Sequence, residues 1–187
     1  MKTVLGVSSA LTVLMASSAG EVLAQNLNVA AIPGEVTPPA GAVLHLTTKA
    51  KGYQIYVCQA KANNPKQFEW SLKGPIATLY DELNRPIGTH AGGPSWQLID
   101  SSRIEAKPVT RINSPDGAIP WVLLSVTEHS GKGALTEVSS IQRVGTIAGK
   151  PPASSCDAQQ AGQEFPSYYE AVYHFYRAGK PTAYGNP

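Results

Sequence analysis

Charge is scarce in this sequence and nearly cancels: 15 Lys and Arg against 13 Asp and Glu leave a net of +2 over 187 residues. No run of five or more basic residues occurs. The chain therefore lacks the dense positive field that a phosphate backbone or an anionic membrane surface requires, and no nucleic acid partner is expected. No stretch approaches the roughly 20 consecutive apolar residues of a membrane-spanning helix. Catalytic signatures are missing too. A nicotinamide enzyme of the usual kind carries G-x-G-x-x-G where a strand turns into a helix, so that the helix N-terminus meets the pyrophosphate. Gly88-Thr89-His90-Ala91-Gly92-Gly93 lacks that spacing and runs into Pro94. The Gly-x-Ser-x-Gly elbow of serine hydrolases does not occur. The four histidines, His45, His90, His129 and His174, form no H-x-H or H-x-x-x-H pair, so spacing gives no metal site. Carboxylates for glycoside hydrolysis can be drawn from Glu69, Asp81, Asp100 and Asp116, but nothing in their spacing brings two within the ~5 to 9 Å that chemistry needs. No cofactor follows from any of these patterns.

What is present begins with a leader. Lys2 supplies a small positive start, an apolar run follows over residues 10–16, and Val22-Leu23-Ala24 offers the small residues of a cleavage site. Residues 1–24 read as a signal peptide, which predicts an extracytoplasmic protein, periplasmic or secreted, beginning at Gln25. Its removal takes away Lys2 and Glu21 together and leaves 163 of 187 residues, the size of one ordinary domain. The two cysteines, Cys58 and Cys156, then meet an oxidising compartment. One intramolecular disulfide is the simplest reading, with two free thiols or an intermolecular pair as the alternatives. Their separation makes a redox pair of the C-x-x-C kind unsuitable.

Residues 25–41 hold Pro33, Pro38 and Pro39 and little periodicity, and read as an extended lead-in. Residues 42–178 carry short runs of period two. Leu44 to Thr48 and Tyr53 to Cys58 are expected as strands joined by a hairpin or corner at Lys49-Ala50-Lys51-Gly52. Phe68, Trp70 and Leu72 alternate with polar residues and predict a core face. Further strands are expected over residues 76–80, 87–90 and 95–99, with one or two edge-like strands over 103–112 around Pro108. Trp121 to Val126 is nearly all apolar and fits a strand buried on both faces. A turn at Ser130-Gly131-Lys132-Gly133 leads to an antiparallel partner over 138–147, and residues 157–163 suit a helical turn. In the last run Tyr169, Ala171, Tyr173 and Phe175 share one face, more suited to closing a core than to stacking on a ligand. With 17 Gly and 15 Pro and a turn signal every ten residues or so, the expected fold is a single mainly antiparallel β-sandwich or barrel, followed by a tail over 179–187.

Five blocks in order are unusual: Gly52 to Cys58, Phe68-Glu69-Trp70 with Gly74-Pro75, Gly88 to Trp96, Ile119 to Leu124, and Ile141 to Thr146. Together with Cys156 and the aromatic end at 168–176, they resemble the DUF3455 family of exported bacterial and fungal proteins over roughly residues 36–176. The resemblance implies export and no assigned activity. Some fungal members carry a malate dehydrogenase label, for which this sequence holds no dinucleotide motif.

The block Gly88 to Trp96 is the best candidate site. It sets His90 among glycines, with Gly92 and Gly93 before Pro94 and Trp96 beside them, so a titratable ring meets bare backbone and an aromatic wall. His174 is a further candidate from the aromatic end. In the plainer reading the glycines make a tight corner and His90 bonds the backbone there. Trp70 and Trp121 suit the core, and Trp96 a cleft. Two functions compete: a non-catalytic domain binding a small molecule or a cell-envelope component, and an extracytoplasmic enzyme, a hydrolase or metal-dependent oxidoreductase, using His90. His90 in a pocket with His174, His45 or an acid within reach would favour the enzyme; a lone His90 bonded to backbone would favour the binder.

Overall fold

The computed structural model describes residues 34–179. The expected leader, its cleavage site, residues 25–33 and residues 180–187 lie outside the described residues. Eight antiparallel strands follow one another in order: β1 (Val43–Lys61), β2 (Asn64–Tyr80), β3 (Pro86–Ala91), β4 (Ser95–Leu98), β5 (Arg103–Ile112), β6 (Trp121–Ser130), β7 (Val138–Ala148) and β8 (Glu164–Arg177). Each pairs with the next, and β8 returns to pair with β1, so the sheet closes into a barrel. Closure joins the first and last strands, while residues 64–75 of β2 and 107–112 of β5 have a partner strand on one side only. Of the two architectures the alternation allows, the chain adopts the barrel.

The core fills the interior. Trp96, Tyr169, Tyr173, Phe175, Leu79, Ile104, Leu135 and Ile141 are fully buried there, while Lys51 pairs with Glu170 and Arg103 with Glu105 on the outer surface. A membrane barrel has the opposite arrangement, apolar outside and polar inside. A second, smaller cluster lies outside the wall: Val36, in a 3-10 turn at Gly34–Val36, covers Trp121, Leu123 and Val144. The Gln142 side-chain amide fastens that turn by donating to the Val36 carbonyl at 2.7 Å. This covering explains the doubly apolar run of β6, with Val122 and Leu124 facing the interior cluster and Trp121 and Leu123 the outer one.

Two sequence expectations fail locally. The corner at Lys49-Ala50-Lys51-Gly52 does not form; the segment continues β1, flanked by β2 and β8 on its two sides. Ala50 is buried and Lys51 exposed, and Gly52 sits where an added Cβ would overlap the Ile76 carbonyl and Ala77 Cα. Gly52, which imitates a turn residue, lacks a side chain where the neighbouring strand β2 runs close by. Phe68, Trp70 and Leu72 are not a core face: Leu72 is 56% exposed, and Trp70 is half-buried against Phe165 at 6.0 Å. β2 is 17 residues long and β3 only 6, so this half of β2 extends past Ile76↔Ala91, beyond which β3 no longer pairs with it. Residues 103–112 form one continuous strand whose first three residues pair with β4. From Lys107 on it pairs with β6 alone and is edge-like around Pro108, as expected, with a register shift between Pro108 and Thr110 where proline has no N–H to give.

Candidate functional site

One end of the barrel is plugged. Asp100, after β4, accepts from the Ala134 backbone N–H at 2.7 Å and from the Ser102 hydroxyl at 2.6 Å, while the Leu135 N–H donates to Ser102 Oγ. These bonds hold the β6–β7 loop against the β4–β5 turn and seat Leu135 in the core.

Toward the other end the interior is hollow. A cavity of about 310 Å³ is lined by Gln54 and Tyr56 of β1, His90 of β3, Trp96 of β4, Arg143 of β7 and Tyr173 of β8. Leu72, Gly93, Pro94, Ile119, Pro120 and Val122 complete much of its apolar wall and rim. An eight-stranded barrel is just wide enough for packed side chains or one small ligand, and this volume lies at the lower end of the range for small-molecule pockets.

The block Gly88 to Trp96 builds this wall as a hairpin. His90 pairs with Trp96 across β3 and β4, and Gly92, Gly93 and Pro94 make the connection. Gly93 takes φ +90°, a conformation that favours glycine. The rings of His90 and Trp96 stack 4.3 Å apart and nearly parallel, and Tyr173 meets both edge-on at 5.1 and 5.5 Å. His90 Nδ1–H donates to the Ser95 carbonyl at 2.8 Å. A carbonyl only accepts, so that proton sits on Nδ1 and the neutral ring keeps its lone pair on Nε2. Burial pulls the imidazole down to about 3, only partly opposed by the Ser95 bond and aided by the Arg143 cation. At neutral pH His90 is an uncharged acceptor.

Arg143 brings the only interior charge in this set. Its Nε and one Nη donate to the Pro120 carbonyl at 3.2 and 2.9 Å, and its field reaches Tyr56, His90, Tyr169 and Tyr173. Burial raises the phenols of Tyr169 and Tyr173, which therefore stay protonated as donors. The side-chain nitrogen of Gln54 and the indole nitrogen of Trp96 are buried without a hydrogen bond, while the Tyr173 hydroxyl bonds Tyr169 and Arg143. An orphaned buried polar group costs about 1–3 kcal/mol, so their gathering around one cavity is unusual for a site that only packs.

Of the residues singled out from sequence, His90, Trp96 and Gly93 line the cavity. Gly92 lies in the same turn, with Gly74 of β2 close against it. His174 is elsewhere: it alternates with the inward Tyr173 and Phe175 and bonds Thr47 at 2.9 Å. His45 and His129 bond the backbone carbonyls of Ala134 and Val138. No group of three or more His, Cys, Asp or Glu side chains among the described residues could hold a metal ion. Cys58 and Cys156 are bridged, with Cα atoms 6.0 Å apart. The bridge ties β1 to the β7–β8 connection, where Asp157 caps a short 3-10 turn, Ala158–Gln160. Sequence reasoning missed Arg143, Gln54 and Tyr56 as cavity residues. The signal for Arg143 was a lone cation within the apolar alternation of Ile141 to Ile147.

A closed antiparallel barrel, plugged at one end and hollow toward the other with unpaired donors around the hollow, defines a barrel with an interior cavity of ligand size. The chain belongs to the DUF3455 family, described as a protein of unknown function, whose model matches residues 39–86 and 82–177. Neither a curated protein nor a solved structure gives a significant match to it.

Proposed function

We propose that this protein is an extracytoplasmic, non-catalytic binding barrel that takes a small molecule into its interior at the Gly88 to Trp96 hairpin. The observation that carries this reading is the cavity lined by Trp96, Tyr173, Gln54 and Arg143, with buried donors left for a ligand to satisfy. A hollow of this kind favours a small molecule over a cell-envelope surface as the ligand. The Cys58–Cys156 bridge supports an oxidising compartment. Against the enzyme reading, His90 has a backbone carbonyl as its hydrogen-bond partner, and no carboxylate lines the cavity. An imidazole held to about 3 by burial is a poor proton acceptor at neutral pH.

The test is a fragment screen on the mature protein, read by changes in the NMR signals of the Trp96 and Tyr173 rings. Binding of one fragment per barrel is expected, and mass spectrometry should recover each fragment unchanged. Val122, buried on the interior face, is the place to fill the hollow: Val122→Phe should weaken binding at least about tenfold, as expected from loss of a shaped pocket. Binding unaffected by Val122→Phe would place the ligand elsewhere, and recovery of altered fragments would favour the enzyme.

A further inference from the structure

We infer that the ligand of this cavity is a small aromatic or apolar carboxylate, with its carboxylate on Arg143 and its body against Trp96, Ile119 and Val122. This rests on the reading of the cavity as a ligand site and goes further by naming what it takes.

Charge points first to an anion. Three basic residues, Lys73, Arg111 and Arg143, line the cavity and no acidic one does. Lys73 is neutralised at the rim by Glu164. Arg111 and Arg143 make no ion pair among the described residues. A cation drawn into a protein interior is ordinarily paired, because desolvation is costly otherwise.

The geometry of Arg143 favours a planar acid. Two of the five guanidinium N–H donors go to the Pro120 carbonyl and one to the Tyr173 hydroxyl, so the two that remain are both on the terminal nitrogens. That end of the group is the fork that meets a carboxylate through two parallel bonds. The Pro120 carbonyl fixes the orientation in advance, and Pro120 is itself held in place by its neighbour Ile119, whose carbonyl accepts from the Thr146 hydroxyl at 2.7 Å.

Every orphaned side-chain atom on the lining is a donor. Gln54 Nε2 and the Trp96 indole N–H can each satisfy an oxygen of the ligand. The rest of the wall is aromatic, aliphatic or proline, which suits an uncharged flat or branched body and gives an inorganic anion nothing to gain.

The experiment compares 2-naphthoate with 2-naphthamide, which share a body and differ in charge, by calorimetry on the mature protein, with acetate and phosphate as further probes. The naphthoate is expected to bind at least about tenfold tighter than the amide, the scale of a charge-assisted pair. Arg143→Gln should abolish that preference while leaving amide binding near its original value, and Arg143→Lys should keep part of it. Equal affinity for the two probes in the unaltered protein would overturn the carboxylate inference and leave the cavity reading standing. So would a preference that survives Arg143→Gln, or acetate or phosphate binding as tightly as naphthoate. Failure of both naphthyl probes to bind at millimolar concentration would sink the cavity reading itself. Should Arg143→Gln not fold, the unaltered protein and Arg143→Lys still decide the outcome.

Discussion

Replacing both cysteines with serine, Cys58→Ser with Cys156→Ser, is expected to lower the unfolding free energy by about 4.7 kcal/mol, the chain-entropy value for a loop of this length. The bridge spans 98 residues, so it closes most of the domain into one loop and removes many conformations from the unfolded chain. With roughly 2–4 °C lost per kcal/mol at this size, the melting temperature should fall by about 10–20 °C. The native barrel should persist below that temperature. Cys58 also exchanges two backbone bonds with the β7–β8 connection, its N–H donating to Gln163 at 3.0 Å and its carbonyl accepting from Gly162 at 2.9 Å. Scanning calorimetry of the double variant is the check. An unchanged melting temperature would mean that the unfolded chain is already constrained in some other way.

Acid should destabilise the barrel through His90. An unfolded histidine titrates near 6.5, whereas the buried ring is held to about 3. Between those values the unfolded chain carries a proton that the native state refuses, so stability is full above pH 6.5 and declines as the pH drops toward 3. The limiting slope is about 1.4 kcal/mol per pH unit, which gives a loss of roughly 2–3 kcal/mol at pH 4.5. His174, lowered by its own burial, acts in the same direction. Asp100 is held low chiefly by the Ser102 hydroxyl and the Ala134 N–H, and Asp81 chiefly by the Arg85 N–H. Their contributions are present above the ordinary carboxylate range and disappear only below about pH 4, so the two windows separate. His90→Gln keeps an N–H for the Ser95 carbonyl and does not titrate. Urea unfolding at pH 7, 5.5 and 4.5 should therefore show a flatter profile for this variant than for the unaltered protein. Parallel profiles would refute the assignment of the acid response to His90.

How much was legible in advance depended on the range of the interactions involved. Period-two alternation is local, so the strands over 76–80, 95–99, 121–126 and 138–147 stood out in sequence, as did the inward face of Tyr169, Ala171, Tyr173 and Phe175. The cysteine pair needed only its even count and an expected compartment. Gly93 and Trp96 were marked by loop chemistry that the backbone itself dictates. The alternation also misled wherever the partner strand was missing. Phe68, Trp70 and Leu72 repeat like a core face, but a side chain is buried only if another wall stands opposite it, and β2 outruns β3 there.

The sequence by itself determined the antiparallel β class and the glycine-rich connection between His90 and Trp96, because each follows from backbone preference or from a pattern within a few residues, and it made the bridge the simplest reading of two cysteines. Only the tertiary structure decided that the sheet closes, since barrel and sandwich share the same alternation and differ in whether β8 returns to β1. It alone separated His90 from His174, placing one in the cavity wall and the other against Thr47. It alone brought Arg143 within reach of Tyr173, Gln54 and Trp96, residues of four different strands. Their convergence is set by register and closure across the whole chain, and those are fixed by the summed packing of the interior, which no short window of sequence contains.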